Sequence, residues 1–302
     1  MSLKKSKTNS EAINKLTLGQ KLLAYTKKPF SFILLIAISI SALITLGSVV
    51  WIIVYIFMKG TVPLFTQAKD LFAVKWTTAN QSMLPALINT LQIIVVSLLI
   101  AVPIGVCAAV YLVEYANSKS MFVQSVRLAA EVLAGIPSIV YGIFGMIVFV
   151  NAFKWGYTIF GGALTMSLMI LPLILRTTEE SLRAVPNAIR ESSYALGAGK
   201  LRTILHIILP AGLSGILSGV IMGIGRVIGE TGALIYTAGI TNGLGNVFNG
   251  DGGKTLSVHL YFLAKEGLYT DKAWATALVL LLLVFAVYGL AGFVENKLKR
   301  EY

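Results

Sequence analysis

Between Pro29 and Met58 the chain runs for 30 residues without a charged side chain. A helix rises about 1.5 Å per residue, and roughly 20 apolar residues cross a bilayer core about 30 Å thick. This run is therefore long enough to span a membrane with residues to spare. It also exceeds the roughly 7–15 apolar residues at the heart of a cleavable signal, so it reads as a retained span. Five further stretches qualify: 84–113, 133–153, 157–175, 211–238 and 273–294. Only 13% of the 302 residues are charged, about half the share in soluble domains. The expected fold class is all-α, a polytopic membrane protein with six transmembrane helices.

The net charge of +12 could suggest a nucleic-acid partner, but the basic residues lie between apolar spans, where they orient a membrane protein. With the N-terminus inside, 17 Lys and Arg residues fall on the inner side, seven of them in residues 1–28. The outer side holds Lys59, Lys69, Lys75, Lys154, Lys254, Lys265 and Lys272, and Arg226 lies inside a span. This asymmetry predicts cytoplasmic N- and C-termini in a cell membrane. The expected organisation is a basic cytoplasmic tail over 1–28, held near anionic lipid, a transmembrane domain over 29–296, and a cytoplasmic tail over 297–302. Outer loops are expected at 59–83 and 241–272, and a cytoplasmic loop at 176–210. The lone cysteine, Cys107, excludes an intrachain disulfide and a cysteine metal cluster.

The 176–210 segment is the longest charged stretch away from the N-terminus. Within it, Glu191, Ser192 and Ser193 are followed by Leu196 and Gly197, then by Ile207, Leu209 and Pro210. This reads as a short helix, a turn that glycine permits, and a second helix entering the membrane at proline. Such an elbow can present one helix to a groove on a soluble partner. A plain solvated surface helix is the alternative.

The spacing resembles the EAA signature of bacterial ABC import permeases, E-A-A-x3-G-x9-I-x-L-P. Glu191, Gly197, Ile207, Leu209 and Pro210 match, while Ser192 and Ser193 stand at the two alanines. Three further runs resemble the phosphate-importer permeases: Leu133 to Gly142 (LAGIPSIVYG), Leu171 to Glu180 (LPLILRTTEE) and Gly225 to Thr231 (GRVIGET). Of the two permease types in that system, the 176–180 run, Tyr236-Thr237-Ala238 and the Ala273 to Leu280 stretch are similar to the PstA type. Gly232-Ala233 departs from the Ala-Pro usual there. The resemblance covers about residues 80–295. It implies the smaller type I (MetI-like) ABC permease fold, with an ABC type-1 core over about 84–294. It also implies a membrane-bound, non-enzymatic transport subunit for inorganic phosphate. The implied partners are a second, PstC-like permease, two PstB-like ATP-binding subunits and an extracytoplasmic PstS-like phosphate-binding protein. ATP and magnesium would be held by the ATPase, so no cofactor is expected here. The segment from Glu191 to Gly197 would dock on that ATPase, and the outer loops on the binding protein.

Arg226 and Glu230 are the charges deepest in a span. An arginine at a helix centre costs about 2.5–3.5 kcal/mol on insertion scales, so it should face protein or water. At i and i+4 the two share a helical face and can pair, which makes a structural ion pair one reading. The other is a pathway site for a tetrahedral oxyanion, because guanidinium binds phosphate in bidentate geometry. The resemblance favours the pathway, with Arg176 at the inner end of the fourth span as a second station. Glu230 would then accept a hydrogen bond from the protonated oxygen of hydrogen phosphate, a proton that sulfate lacks. The glycines at 215, 219 and 223 repeat every four residues and suit close helix packing, within the subunit or between subunits.

No ATP-binding loop is present: Gly253-Lys254-Thr255 and Gly199-Lys200 lack the glycine that a Walker A loop needs five residues earlier. His206 and His259 fall on opposite sides of the expected topology. An ion-coupled secondary transporter or channel is the alternative class, and molybdate or sulfate the alternative cargo.

Overall fold

The structure is a computed structural model that describes residues 29–117 and 119–301. The basic tail expected over 1–28 lies outside the described residues. The chain divides into two units at Phe57 and Met58. Helix α1 spans Pro29–Thr66, and up to Phe57 it presents apolar side chains such as Phe30, Leu43 and Trp51 outward.

In the second unit, α2 covers Leu84–Tyr115, with its last turn wound as a π-helix over Tyr111–Tyr115. Then come α3 (Met121–Gly135), α4 (Ser138–Ala152) and α5 (Ile159–Ala184). The short α6 (Asn187–Ala195) leads into α7 (Lys200–Gly229), which has a π-turn at Ile204–Ile208. The last elements are α8 (Gly232–Thr237), α9 (Leu256–Glu266) and α10 (Thr270–Glu301). Among the described residues, five helices are long and apolar enough to cross a membrane, and the α3–α4 pair makes a sixth crossing if counted as one bent span. The all-α, polytopic expectation holds.

Helix α5 is the hub. Its apolar window is 67% buried, more than that of any other candidate span among the described residues, and it packs against α2, α3 and α7. Thr158 caps its start by accepting the Gly161 N–H at 2.9 Å. Three apolar clusters line the bundle from end to end. One at the 185–199 end joins Leu112, Val123, Leu182, Val185, Ile204 and Ile208. A central one holds Ile93, Met166, Ile170, Val227 and Leu234, and one at the opposite end holds Leu71, Met83, Ala86 and Leu256.

The small-residue face of α7 is used inside the subunit. A Cβ on Gly215 would sit 2.6 Å from Ser181 Oγ, and one on Gly219 would collide with the Thr177 hydroxyl. Ser181 also donates to the Gly212 carbonyl at 2.5 Å. Backbone and hydroxyl therefore meet directly between α5 and α7, as small residues permit in membranes.

Several boundaries differ from the expectation: α1 runs on to Thr66, eight residues into the expected 59–83 loop, and four others follow. The third span is not one helix over 133–153: the chain turns by 101° between α3 and α4 at Ile136-Pro137, since proline disfavours a helical residue before it. Tyr141 Oη repairs the break by donating to the Leu133 carbonyl at 2.8 Å. Helix α4 alone is about 22 Å long, short of the roughly 30 Å hydrocarbon core. The polar loop shrinks as well. Arg176 to Ala184 continue α5, and Lys200 begins α7 ten residues before Pro210, leaving 185–199 as the connection. The fifth span ends at Gly229 rather than at 238, because Glu230 adopts an extended ψ of 126°. Finally, residues 297–301 continue α10 rather than forming a separate tail.

The α5–α7 contact predicts a steric test. Gly219→Leu should lose about 1–3 kcal/mol through overpacking, lowering the thermal-shift midpoint of the purified protein. Gly229→Leu should leave it unchanged, because among the described residues no atom outside its own helical turn and chain neighbours lies within 4 Å of its Cβ position.

Candidate functional site

The expected docking segment is α6, held on one side and bare on the other. Arg190 is its anchor. The guanidinium donates to Glu114 Oε1 from Nη2 at 2.9 Å and from Nε at 3.1 Å. It also donates to the Leu182 carbonyl at 2.8 Å and the Val185 carbonyl at 2.6 Å, both at the end of α5. Those carbonyls have no partner within the helix, so a cation beside them is favoured twice over. The pair is largely buried, with 13% and 6% of the two side chains exposed. Ser193 is buried and shares a 2.8 Å hydrogen bond with Thr203 at the start of α7. Helix α6 is thus tied to the ends of α2, α5 and α7.

Glu191 and Ser192 are exposed, with Ser192 Oγ donating to the Ala188 carbonyl at 2.7 Å. Gly197 follows at φ +82°, a left-handed conformation that favours glycine. Leu196 is 88% exposed, and Ile189, Tyr194 and Leu201 are exposed beside it. Of the remaining signature residues, Ile207 lies in the π-turn of α7, while Leu209 and Pro210 follow it, half-buried. The seven residues at signature positions, together with Leu196, therefore fall on one elbow. Glu114 and Arg190, which hold it, carry no motif. The hint in the sequence was an acid ending an apolar run and an arginine within the polar loop.

The charges inside the bundle are arranged differently from the expectation. Helix α7 stops before Glu230, so Glu230 and Arg226 do not share a helical face, and no ion pair joins them. Glu230 is buried and its Oε1 accepts the Ala233 N–H at 3.0 Å, capping α8. That bond needs a donor at 233, so the departure at Gly232-Ala233 has a structural correlate: proline there would carry no N–H. Arg226 is half-buried, and no acceptor lies within hydrogen-bond distance of it among the described residues. Thr177, beside Arg176, faces Gly219; Arg226 lies seven residues further along α7, about 10 Å deeper.

Arg176 is exposed and borders a cavity of about 220 Å³ with Arg127, Glu131, Glu180 and Arg183. Behind them, Glu179 accepts from Arg127 Nε and Arg183 Nη2, both at 2.7 Å. The spacing of Glu179 and Arg183 marks an i,i+4 pair; Arg127, 52 positions away, could not be anticipated. Arg176, Arg226 and Glu230 are therefore not one cluster but successive positions along α5 and α7.

At the opposite end, two amides of α2 hold the 239–255 loop. Asn89 is fully buried; it donates to the Gly243 and Lys254 carbonyls at 3.1 Å and accepts the Gly245 N–H at 2.9 Å. Gln92 donates to the Gly245 carbonyl at 3.0 Å. A Cβ on Gly253 would collide with Asn89. His259 on α9 is fully buried, and burial, aided by the charge of Lys254, pushes its pKa down from 6.5 to about 3.

A family model described as the binding-protein-dependent transport system inner membrane component matches residues 101–300. The probable ABC transporter permease protein YqgI of Bacillus subtilis is 35% identical over 70% of this chain and 78% of its own length. The phosphate transport system permease protein PstA of Mycobacterium leprae is 33% identical over 82% of each chain. A chain from inward-facing structures of the MetNI methionine ABC transporter superposes with a TM-score of 0.56 at 16% identity, over 71% of this chain and 93% of that one. That likeness bears out a MetI-like permease fold.

Two expected outcomes follow from the geometry. Removing either member of the buried Glu114–Arg190 pair should cost about 3–5 kcal/mol, while Glu114→Gln with Arg190→Met together should cost clearly less than the sum, in a thermal double-mutant cycle. His259, neutral when folded, binds a proton more readily when unfolded. Its contribution to stability is thus present above pH 6.5 and is lost as pH falls from 6.5 toward about 3; His259→Leu should flatten that part of the stability–pH curve.

Proposed function

The chain belongs to the family of binding-protein-dependent transport system inner membrane components, and on that premise we propose that it is the transmembrane permease subunit of an ATP-driven importer for inorganic phosphate. The observation that carries the reading is the two-sidedness of α6. One side is fixed to three long helices through Arg190 and Ser193. The other offers Ile189, Tyr194 and Leu196 to a partner, as a helix-in-groove contact requires. A force applied to α6 reaches α2, α5 and α7 without passing through a flexible linker.

In this reading the 185–199 connection faces the cytoplasm of a cell membrane, together with both termini, and docks on an ATP-binding subunit that holds ATP and magnesium. Two such ATPases close on ATP and move this permease and a second one against each other. The 67–83 and 239–269 segments face an extracytoplasmic phosphate-binding protein. Phosphate then passes between the two permeases by way of Arg226 and, about 10 Å closer to the cytoplasm, Arg176. Arg226 suits this role because it has the charge and donors for an oxyanion and no acceptor of its own among the described residues. One oxygen of Glu230 is committed to Ala233; the other is the acceptor for the proton of hydrogen phosphate. Another oxyanion, molybdate or sulfate, is the second reading of the cargo.

The test is uptake by the co-purified complex in lipid vesicles. ATP-dependent phosphate accumulation should be inhibited by orthovanadate and outcompete sulfate and molybdate. Leu196→Asp should reduce uptake by about 30-fold, the loss of one interface hot spot of about 2 kcal/mol. Uptake that persists without ATP while a proton gradient is present would instead make the chain a secondary transporter.

A further inference from the structure

Lys254 is buried to 8% exposure, yet no carboxylate lies within ion-pair distance of it among the described residues. Its backbone is fixed: the N–H donates to the Thr241 carbonyl at 3.1 Å, and its own carbonyl accepts from Asn89 at 3.1 Å. The ammonium sits over the rings of Trp76 at 5.6 Å and Phe262 at 5.9 Å. Such contacts are worth about 0.5–2 kcal/mol, less than the several kcal/mol that burying a charge costs. Lys272 is equally buried but donates to the Ala79 and Asn80 carbonyls at 2.6 and 3.1 Å. The contrast singles out Lys254 as a cation whose acceptor has to come from elsewhere.

Two more unmet groups surround it. Among the described residues, Trp76 Nε1 is a buried donor with no acceptor, and Asn242 Oδ1 a buried acceptor with no donor; each such group costs about 1–3 kcal/mol. Trp76, Asn242 and Lys254 line one cavity of about 360 Å³, bordered by the exposed residues Thr78 and Glu266. At about 30 Å³ per water, this volume admits a small ion with part of its hydration shell. Burial holds the Lys254 ammonium below its usual pKa, with Glu266 opposing the shift. An anion in the cavity would restore the charged form. His259 nearby is neutral and adds no competing cation.

We propose that this cavity is a binding site for a partly protonated oxyanion of the phosphate type, distinct from the Arg226 position. Lys254 and the Trp76 indole donate to its oxygens, and Asn242 Oδ1 accepts its O–H. Sulfate offers the oxygens without the proton, and a carboxylate at neutral pH likewise has no donor for Asn242. Glu266 at the mouth keeps binding weak enough for the ion to leave. On the reading above, which this inference relies on only for the source of the ion, the site is an entry station on the outer face.

The test uses the co-purified complex in nanodiscs with tryptophan indoles labelled in this chain, the Trp76 resonance being assigned by W76F. Inorganic phosphate should shift the Trp76 indole signal saturably, with half-saturation about tenfold below that of sulfate or acetate. Lys254→Gln should abolish the shift. If that variant does not assemble, Asn242→Asp, which keeps the side-chain shape and adds a negative charge, should abolish it instead. A Trp76 signal unmoved by phosphate, or moved equally by all three anions, overturns the site. Phosphate uptake by the same complex in vesicles separates the two readings: uptake without a Trp76 response leaves the importer and removes the station. A complex that binds phosphate here but accumulates another solute removes the assigned cargo and keeps the site.

Discussion

The close approach of α5 and α7 is the contact on which the rest of the molecule hangs. Glycines 215 and 219 bring the α7 backbone against Ser181 and Thr177, leaving no room for an intervening side chain. With no water to satisfy backbone groups in a bilayer, helices are the natural unit, and helix association there depends on packing rather than on apolar burial alone. Once these two helices are locked, the connection between them need only turn the chain. It does so over 185–199, with α6 lying across their ends. The same contact sets the depth difference between Arg176 and Arg226.

The polar groups of the bundle divide by whether they are satisfied. Asn89, Gln92, Arg190, Glu179 and Lys272 each meet partners, and each fastens one segment to another. Arg226 and Lys254 do not, although both are cations at least half-buried. Since buried polar groups are normally paired, these two cations are the places where a negatively charged visitor fits best. They lie in different parts of the fold, one on a long helix and one in a loop anchored by α2. An anion entering from the loop side would meet Lys254 first.

How much of this was legible in the sequence depended on the range of the interaction concerned. The apolar runs located the long helices because membrane thickness acts on the chain locally, and Gly197 announced its turn through backbone sterics. The 176–210 segment was harder. Its composition is polar, but Arg176 to Ala184 and Lys200 to Leu209 extend flanking helices beyond their apolar windows, and composition does not register that. The Arg226–Glu230 spacing suggested a pair only while α7 was taken to continue; the extended backbone at Glu230 sends that carboxylate to Ala233 instead. Glu114 with Arg190, Arg127 with Glu179, and Asn89 with the 243–254 loop join residues far apart in sequence. Nothing in their local neighbourhoods names the partner.

The breaks at Pro137 and Glu230 leave α4 and α8 as short helices, and these two touch at their backbones: a Cβ on Gly142 would lie 2.6 Å from the Ala233 Cα. Parts fitted that closely cannot slide past each other without a clash. Mechanically, they count as one lever with two hinges. One hinge is closed by the Tyr141 hydroxyl on the Leu133 carbonyl, the other by the Glu230 carboxylate on the Ala233 amide. A change of charge or hydration at Glu230 would therefore be felt at both ends of the lever, including the hinge that Tyr141 closes.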